Sequence, residues 1–149
     1  MKAFAVNCTL KPGPEASSTD VLLDQIAAEL DAHGIELDRV RIGDLDVKPG
    51  VTGDEGDGDA WPDVRRSILD AELFVLATPI WMGHPCSHAQ RVLERLDAFI
   101  SETDDRGQMA TADRVAMVAV VGNEDGAHHV GPSCSRASTT WASPSPPGP

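Results

Sequence analysis

Hydroxyl groups and one basic group cluster in the segment that follows the first apolar run of the chain. Within residues 7–19 these groups belong to Thr9, Lys11, Ser17, Ser18 and Thr19. A helical pattern starts directly afterwards, and the unpaired N–H groups and positive dipole of a helix N-terminus favour an anion. The residue types suit a phosphate, although Ser and Thr before a helix are also ordinary N-caps. The segment contains neither G-x-x-x-x-G-K-[ST] nor G-x-G-x-x-G, which disfavours P-loop nucleotide hydrolysis and the usual dinucleotide fingerprint.

A second candidate segment is the predicted loop 78–83, which combines a rigid proline, an aromatic ring and a glycine. It follows the uncharged run 73–77, which is typical of a strand buried on both faces of a parallel sheet. Trp81 lies between Pro79 and Gly83, where it could either cap the core or cover a planar ligand. The residue types alone leave both interpretations open.

A third candidate segment, residues 122–126, has a glycine at each end and polar residues between them. Gly122 and Gly126 would let the backbone approach a ligand closely. The polar contacts would come from Asn123, Glu124 and Asp125. An ordinary helix-entry turn capped by Asp125 is the alternative.

Histidines close to these segments raise the question of a metal site. His128 and His129 are neighbours in the sequence, so on a helix they would point in different directions, and no third ligand is evident. We therefore expect no metal site. His84 and His88 are interpreted as surface residues of a loop and a helix.

Hydrophobic periodicity indicates the elements that must position these segments. Strands are predicted at residues 2–8, 35–42, 73–77 and 114–121, with helical patterns between them. Such alternation is typical of one α/β domain with a parallel sheet and right-handed crossovers. All three candidate segments then follow the carboxyl ends of strands, which is the sheet edge where ligands bind in open α/β folds.

Composition restricts the possible partners and the compartment. The 149 residues include 24 acidic and 12 basic side chains, a net charge of -12, which disfavours nucleic acid and anionic membrane surfaces. Three widely spaced cysteines without C-x-x-C indicate neither a disulfide framework nor a zinc site. No signal peptide or bilayer-spanning segment is recognisable. The sequence thus predicts a cytoplasmic protein.

Taken together, the three segments resemble the flavodoxin-like superfamily, in particular the NADPH-dependent FMN reductases. Thr9-Leu-Lys11 and Ser17-Ser-Thr19 are similar to the Ser-Pro-Arg and Ser-Asn-Thr elements of that family. Thr78-Pro-Ile-Trp-Met-Gly83 is similar to its Thr-Pro-Ile-Tyr-Trp-Gly loop and is the most specific match. Residues 122–126 resemble the Gly-rich loop along the isoalloxazine ring. This chain departs from the family pattern at Cys8, Lys11 and Met82.

The resemblance implies a doubly wound parallel sheet of order 2-1-3-4, an FMN cofactor, and NADPH or NADH as reductant. Hydride or electrons would pass through FMN to a quinone or another small acceptor, and no side chain is required as a catalytic acid or base. A homodimer is also compatible with the family. The FMN-binding residues that it implies are Thr9, Lys11, Ser17, Ser18, Thr19, Pro79, Ile80, Trp81, Met82, Gly83, Gly122, Asn123, Glu124, Asp125 and Gly126. Two alternatives are a flavodoxin-type FMN-binding electron carrier and an inactive truncated fragment.

The last part of the chain differs in character from the rest. We predict a flavodoxin-like domain over residues 1–130 and a disordered tail over residues 131–149, which is rich in Pro and Ser. The family would need another helix and a fifth strand here, and both are expected to be missing. A frameshift near Val130 to Pro132 would explain the change, because shifting the frame restores apolar residues at helical spacing. An unstructured native tail is the alternative.

Overall fold

Strands and helices alternate along the chain in the computed structural model, which describes residues 1–100, 102–103, 105 and 107–142. Two short 3-10 helices, Ile42–Asp44 and Asp97–Ile100, supplement the main elements. The main elements are β1 (Lys2–Asn7), α1 (Ser18–Asp31), β2 (Glu36–Arg41), α2 (Trp61–Asp70), β3 (Leu73–Trp81), β4 (His84–Pro85), α3 (Ser87–Leu96), β5 (Val115–Val121) and α4 (Ala127–Ala142).

The four long strands form a parallel sheet in the order β2-β1-β3-β5. Ala3 of β1 pairs with Leu37 of β2 and with Leu73 of β3, and Leu73 in turn pairs with Val115 of β5. The predicted order 2-1-3-4 is confirmed, with β5 as the fourth parallel strand. Among the residues that the structure describes, β2 and β5 are therefore the two outer strands of the sheet.

Strand β3 is longer than its sequence predicted, and the expected loop at residues 78–83 is mostly a β-hairpin. Thr78 and Pro79 still pair with β5, while Ile80 and Trp81 pair antiparallel with β4. The Thr-Pro pair looked like a strand end because proline lacks a donor, but these pairings hold the backbone extended. Only residues 82–83 remain as the turn.

Side chains of the sheet alternate between two apolar layers, as the pleat of a strand requires. On one face, Phe4 and Val6 pack with buried residues of α2, α3 and α4. On the other face, Ala3 and Ala5 pack against α1 through Leu23. Burial of each large apolar side chain contributes about 1.5–3 kcal/mol, so these two layers hold the carboxyl edge of the sheet in place.

Helix α4 occupies the start of the segment that the sequence predicted as a disordered tail. Val130 and Cys134, four residues apart, are both fully buried in the layer that α2 and α3 also cover. Their burial outweighs the unfavourable composition, which includes Pro132 inside the helix. The prediction that the last helix is missing was therefore wrong. Residues 143–149 lie outside the described residues, and the frameshift stays a prediction.

The Gly- and Asp-rich segment before α2 is held by a buried ion pair. Arg95 of α3 is fully buried, and its Nη2 donates to Asp59 Oδ2 at 2.7 Å. The Asp59 carboxylate also accepts from the amides of Glu55, Lys48 and Trp61. Burial alone would raise the pKa of Asp59, but these hydrogen bonds and Arg95 outweigh it and leave the pKa below its ordinary value. The segment is thereby attached to the core.

Candidate ligand site at the carboxyl edge of the sheet

A cavity of about 400 Å³ opens at the carboxyl ends of β1, β3 and β5. This volume falls in the range of small-molecule sites, roughly 300–1,000 Å³. Its walls come from all three segments that the sequence singled out. The lining residues are Thr9, Leu10, Lys11, Ser17, Ser18, Thr19, Pro79, Ile80, Trp81, Val121, Gly122 and Asn123.

Most of the candidate residues named from the sequence are thus brought together in one cavity. Sequence reasoning did not name Leu10 and Val121, which add apolar surface to the lining. Leu10 lies inside the predicted phosphate segment and Val121 ends β5, so their positions next to named residues were the available signal. The remaining candidates, 82–83 and 124–126, are not part of the lining.

Those remaining candidates join the two neighbouring loops instead. The amide of Met82 donates to Glu124 Oε1 at 2.9 Å, while the Met82 side chain is 87% exposed. Gly126 has a positive φ of 142°, and a Cβ atom there would lie 2.8 Å from the Gly83 Cα. The backbones at Gly83 and Gly126 therefore approach each other more closely than any side chain would allow. This contact joins the β3–β4 turn to the loop after β5, beside the cavity.

The N-terminus of α1 forms another part of the wall. Ser17 is its N-cap and accepts from the Asp20 amide at 3.2 Å. The next two amides, of Ser18 and Thr19, have no hydrogen-bond partner within the part of the chain that the structure describes. First-turn amides of a helix are free in this way because they precede the first intrahelical bonds. They remain available to an anion in the cavity.

Lys11 is the charged residue in the lining. Its ammonium donates to the carbonyl of Ala16 at 3.0 Å and lies 3.2 Å from Glu15 Oε1. Both side chains are about half exposed. Exposed pairs of this kind contribute about 0–1 kcal/mol, so the ammonium can turn to an anionic ligand at little cost.

A hydrogen-bond network that the sequence analysis did not identify lies behind the lining. The Asp20 carboxylate accepts from Asn7 Nδ2 at 2.6 Å, Ser17 Oγ at 2.7 Å and Arg41 Nη2 at 2.5 Å. The spacing Ser17-x-x-Asp20 resembles a capping box and could have indicated Asp20. Arg41 had no local signal, since it comes from the end of the neighbouring strand β2.

Helix α3 holds the start of the first loop from the other side. His88 Nδ1 lies 3.0 Å from the carbonyl oxygen of Thr9, so it donates there as Nδ1–H. Cys86 Sγ donates to the carbonyl of Cys8 at 2.8 Å. His88 lies on a helix, as expected, and is partly exposed, but its ring also contacts the first loop.

The three cysteines are all buried. Burial raises the pKa of the Cys8 thiol well above its usual value and raises that of Cys134 to about 11. These two thiols are therefore protonated at neutral pH and are poor nucleophiles.

The cavity suits binding and orientation rather than acid–base chemistry. Its lining contains one ammonium group, and neither a carboxylate nor an imidazole belongs to it.

Over the residues that the structure describes, no group of three or more His, Cys, Asp or Glu side chains could hold a metal ion. His84 and His129 form an edge-to-face ring contact at 5.1 Å. No helix in the described ranges has the length and apolar character needed to cross a membrane.

Comparison with known proteins places these features in a family. Residues 1–133 match the model of the NADPH-dependent FMN reductases. The structure of RosB with bound 8-demethyl-8-formylriboflavin-5'-phosphate is similar, with a TM-score of 0.84, 30% sequence identity, and coverage of 100% of this chain and 68% of that chain. An NADH:FMN oxidoreductase in its apo form has a TM-score of 0.69 at 18% identity, over 94% of this chain and 68% of that chain, which shows a shared fold.

Two curated sequences are also similar. The 8-demethyl-8-aminoriboflavin-5'-phosphate synthase of Streptomyces davaonensis is 34% identical over 139 residues, and the divalent metal cation transporter MntH of Mycobacterium bovis is 38% identical over 133 residues. Each match covers 87% of this chain. The chain spans 54% of the first relative's length and 19% of the second's. The family model, which matches most of the chain, and the likeness to RosB show that this chain belongs to the NADPH-dependent FMN reductase family.

Proposed function

We propose that the cavity binds FMN and that the protein uses it to pass hydride or electrons from NADPH or NADH to a quinone or another small acceptor. Membership in the FMN reductase family supports an FMN-dependent oxidoreductase. The observation that carries the proposal is the composition of the cavity, which has hydroxyls and free helix amides at one end and apolar walls at the other. FMN has the same division between a phosphate and an aromatic ring system.

The phosphate would lie at the N-terminus of α1. Its oxygens would accept hydrogen bonds from the amides of Ser18 and Thr19 and from nearby hydroxyls, including Thr9. Thr9, Ser17 and Thr19 are buried, so their side chains are already ordered by the surrounding loop. Lys11 would add a point charge, without the bidentate geometry that an arginine would provide.

The ring system would lie between the ends of β3 and β5. Pro79, Ile80 and Trp81 supply one wall, and Gly122 with Asn123 supplies the other. Trp81 is 56% exposed, which leaves its ring face available to a planar ligand. Residues 82–83 and 124–126 would hold the two walls at a constant separation through the Met82–Glu124 hydrogen bond and the close glycine contact.

Bound FMN would supply the hydride and electron chemistry, as flavins do in other enzymes. The protein's own contribution is to bind the phosphate, orient the ring and exclude water from one of its faces. The absence of a carboxylate or imidazole from the described lining agrees with a reaction that needs no protein acid or base. We therefore assign no catalytic side chain.

An absorbance titration of the purified chain with FMN tests the binding. We expect a saturable shift of the flavin bands and quenching of tryptophan emission, both weakened in Trp81→Ala. Val115→Ala is the matched control, because Val115 is equally exposed but lies at the opposite end of β5. An unchanged flavin spectrum at all concentrations would contradict the proposal.

Steady-state kinetics then separate the enzyme from its rivals. Oxidation of NADH or NADPH in the presence of FMN and a quinone is expected for the oxidoreductase. A flavodoxin-type electron carrier would bind FMN without accepting hydride from either nicotinamide. An inactive fragment would bind no FMN and would show a broad thermal transition.

A second candidate function treats the flavin phosphate as the substrate. The specific observation in its favour is the likeness to RosB, whose structure contains a modified riboflavin phosphate, and to the synthase of Streptomyces davaonensis. Mass spectrometry of flavin recovered after incubation distinguishes the two functions. Unchanged FMN after many turnovers supports the resident cofactor, whereas 8-demethyl-8-formylriboflavin-5'-phosphate converted to a new mass supports the synthase-like alternative.

A further inference from the structure

Arg41 connects the second strand of the sheet to the first loop, residues 8–17. Its Nη1 donates to the carbonyls of Lys11 at 3.2 Å and Glu15 at 3.0 Å. These two carbonyls stand at either side of the Pro- and Gly-containing part of the loop. One guanidinium group therefore holds two points of the loop that are four residues apart in sequence.

The same guanidinium neutralises a carboxylate at the N-terminus of α1. Arg41 Nη2 lies 2.5 Å from Asp20 Oδ2, and the two side chains are 15% and 23% exposed. Asp20 follows directly after Ser18 and Thr19, whose amides face an anionic ligand in the proposed function. A carboxylate without its cation at this place would repel a phosphate dianion, and partial burial would leave that repulsion weakly screened.

We propose that Arg41 is the positioning residue that makes the first loop competent to hold a phosphomonoester. This inference rests on the proposed function, since it concerns how the chain recognises the phosphate of FMN. Arg41 shapes the loop through two carbonyls and cancels the charge of Asp20. Arg41 does not belong to the cavity lining, and its guanidinium contacts Lys11, Glu15 and Asp20 instead, so its effect on the ligand is exerted through the loop.

Comparing FMN with riboflavin isolates this role, because riboflavin has the same ring system and lacks the phosphate. We expect Arg41→Met to lower the ratio of FMN affinity to riboflavin affinity by roughly tenfold or more, as when a charged group loses its partner. Riboflavin affinity itself should change little. If Arg41→Met instead lowers the affinity for FMN and for riboflavin by the same factor, the substitution has only loosened the fold. That result would overturn the inference.

A double variant tests the charge argument. Asp20→Asn removes the carboxylate that Arg41 neutralises, so Arg41→Met combined with Asp20→Asn should recover part of the lost FMN preference. A double variant with a lower preference than Arg41→Met alone would contradict the neutralising role. Arg41→Lys keeps the charge but loses the two-pronged geometry, and we expect an intermediate preference from it. If Arg41→Met does not fold, the preference of Arg41→Lys for FMN over riboflavin tests the inference in its place, and a wild-type preference in Arg41→Lys would contradict the positioning role.

The neighbouring pair Arg39–Asp24 is a matched control. It joins the same strand to the same helix at 2.7 Å, but its side chains are 41% and 61% exposed, and neither forms a hydrogen bond or ion pair with the described residues of the first loop. Arg39→Met should leave the FMN preference unchanged. If Arg39→Met and Arg41→Met lose the preference for FMN over riboflavin equally, the loss comes from the lower positive charge of the protein and not from the contacts of Arg41. That result would overturn the inference.

Hydrogen exchange without any flavin provides an independent measurement. The amides of Lys11, Gly13, Glu15 and Ala16 should exchange faster in Arg41→Met than in Arg39→Met, because the loop loses both carbonyl contacts. Equal exchange in the two variants would contradict the positioning role. A wild-type chain that binds no FMN would instead refute the proposed function and the inference with it. A wild type that prefers FMN, with a preference unaltered by Arg41→Met, would refute the inference alone.

Discussion

Asp59 is the partner of the fully buried Arg95, and its removal should be costly. Loss of one member of a buried ion pair leaves the charge of the other uncompensated, which costs about 3–5 kcal/mol. Glu55 lies 3.4 Å from Arg95 and still compensates part of its charge. We therefore expect Asp59→Ala to lower the free energy of unfolding by about 3 kcal/mol, the lower end of that range. Chemical denaturation at neutral pH measures this change. Asp57→Ala is the control, since Asp57 is exposed in the same segment and should change stability by less than about 0.5 kcal/mol.

The same carboxyl group predicts how stability depends on pH. The pKa of Asp59 is lower in the folded chain than its ordinary value, so its stabilising contribution is present at neutral pH. It is lost as the pH falls below about 4 and through the folded pKa. Urea midpoints of wild type and Asp59→Asn should therefore converge between neutral and strongly acidic pH. A difference that stays constant down to the lowest pH would contradict this.

Single residues differed in how far the sequence could predict their roles. Thr9, Ser17 and Thr19 were recognisable because hydroxyls before a helix are a local pattern, and the structure places them in the cavity. Arg41 was not recognisable, because its partners lie 21 to 30 positions away and depend on the pairing of β1 with β2. Contacts that depend on sheet register have no signature in a local window.

At the scale of elements, the contact between the β3–β4 turn and the loop after β5 should be sensitive to one methyl group. Gly126→Ala places a Cβ atom 2.8 Å from the Gly83 Cα and at a φ of 142° that L residues rarely adopt. We expect a loss of roughly 1–3 kcal/mol from the strained backbone, together with weaker FMN binding. Denaturation and flavin titration measure the two effects separately.

Gly58→Ala is the matched comparison for that variant. Gly58 also has a positive φ, 81°, but nothing lies within 4 Å of a Cβ atom added there. It should show the backbone cost alone, with FMN affinity unchanged. If Gly126→Ala and Gly58→Ala bind FMN equally well, the close approach of the two loops has no part in shaping the site.

Elements were predictable where periodicity was strong and less so where composition conflicted with packing. The buried run of β3 was recognised, but its extension through Pro79 depends on pairing with β4 and β5. Helix α4 was missed because most of it lies within residues 131–149, where Pro and Ser make up ten of the 19 residues. The four-residue spacing of Val130 and Cys134 favours a helix, but this sequence signal was weaker than the composition. In the structure both side chains are buried in the core, and their burial stabilises the helix.

For the whole molecule, the net charge of -12 predicts an unusual effect of salt on ligand association. The cations at the first loop are paired with carboxylates, Lys11 with Glu15 and Arg41 with Asp20. Long-range repulsion of an anionic flavin should therefore dominate the encounter, and salt screens it. We expect the association rate of FMN to rise between low and physiological ionic strength.

Stopped-flow quenching of flavin fluorescence measures that rate. Uncharged riboflavin is the control and should show no comparable salt dependence. An FMN rate that falls as salt is added would mean that attraction by Lys11 and the helix N-terminus exceeds the repulsion of the whole molecule. The parallel α/β class was predictable at this scale from the alternation of strands and helices, whereas the strand order came from the resemblance to the flavodoxin-like superfamily.

The outer position of β5 also has a consequence for the behaviour of the protein at high concentration. Among the described residues β5 pairs with β3 alone, and its seven residues, Val115–Val121, are all uncharged. A strand edge of this composition that no described strand covers is a template for joining to other chains and for cross-β aggregation. Val115→Lys, which adds a charge at an exposed position, should delay the rise of light scattering during storage. The strand that completes the cavity is thus also the segment from which the protein should begin to aggregate.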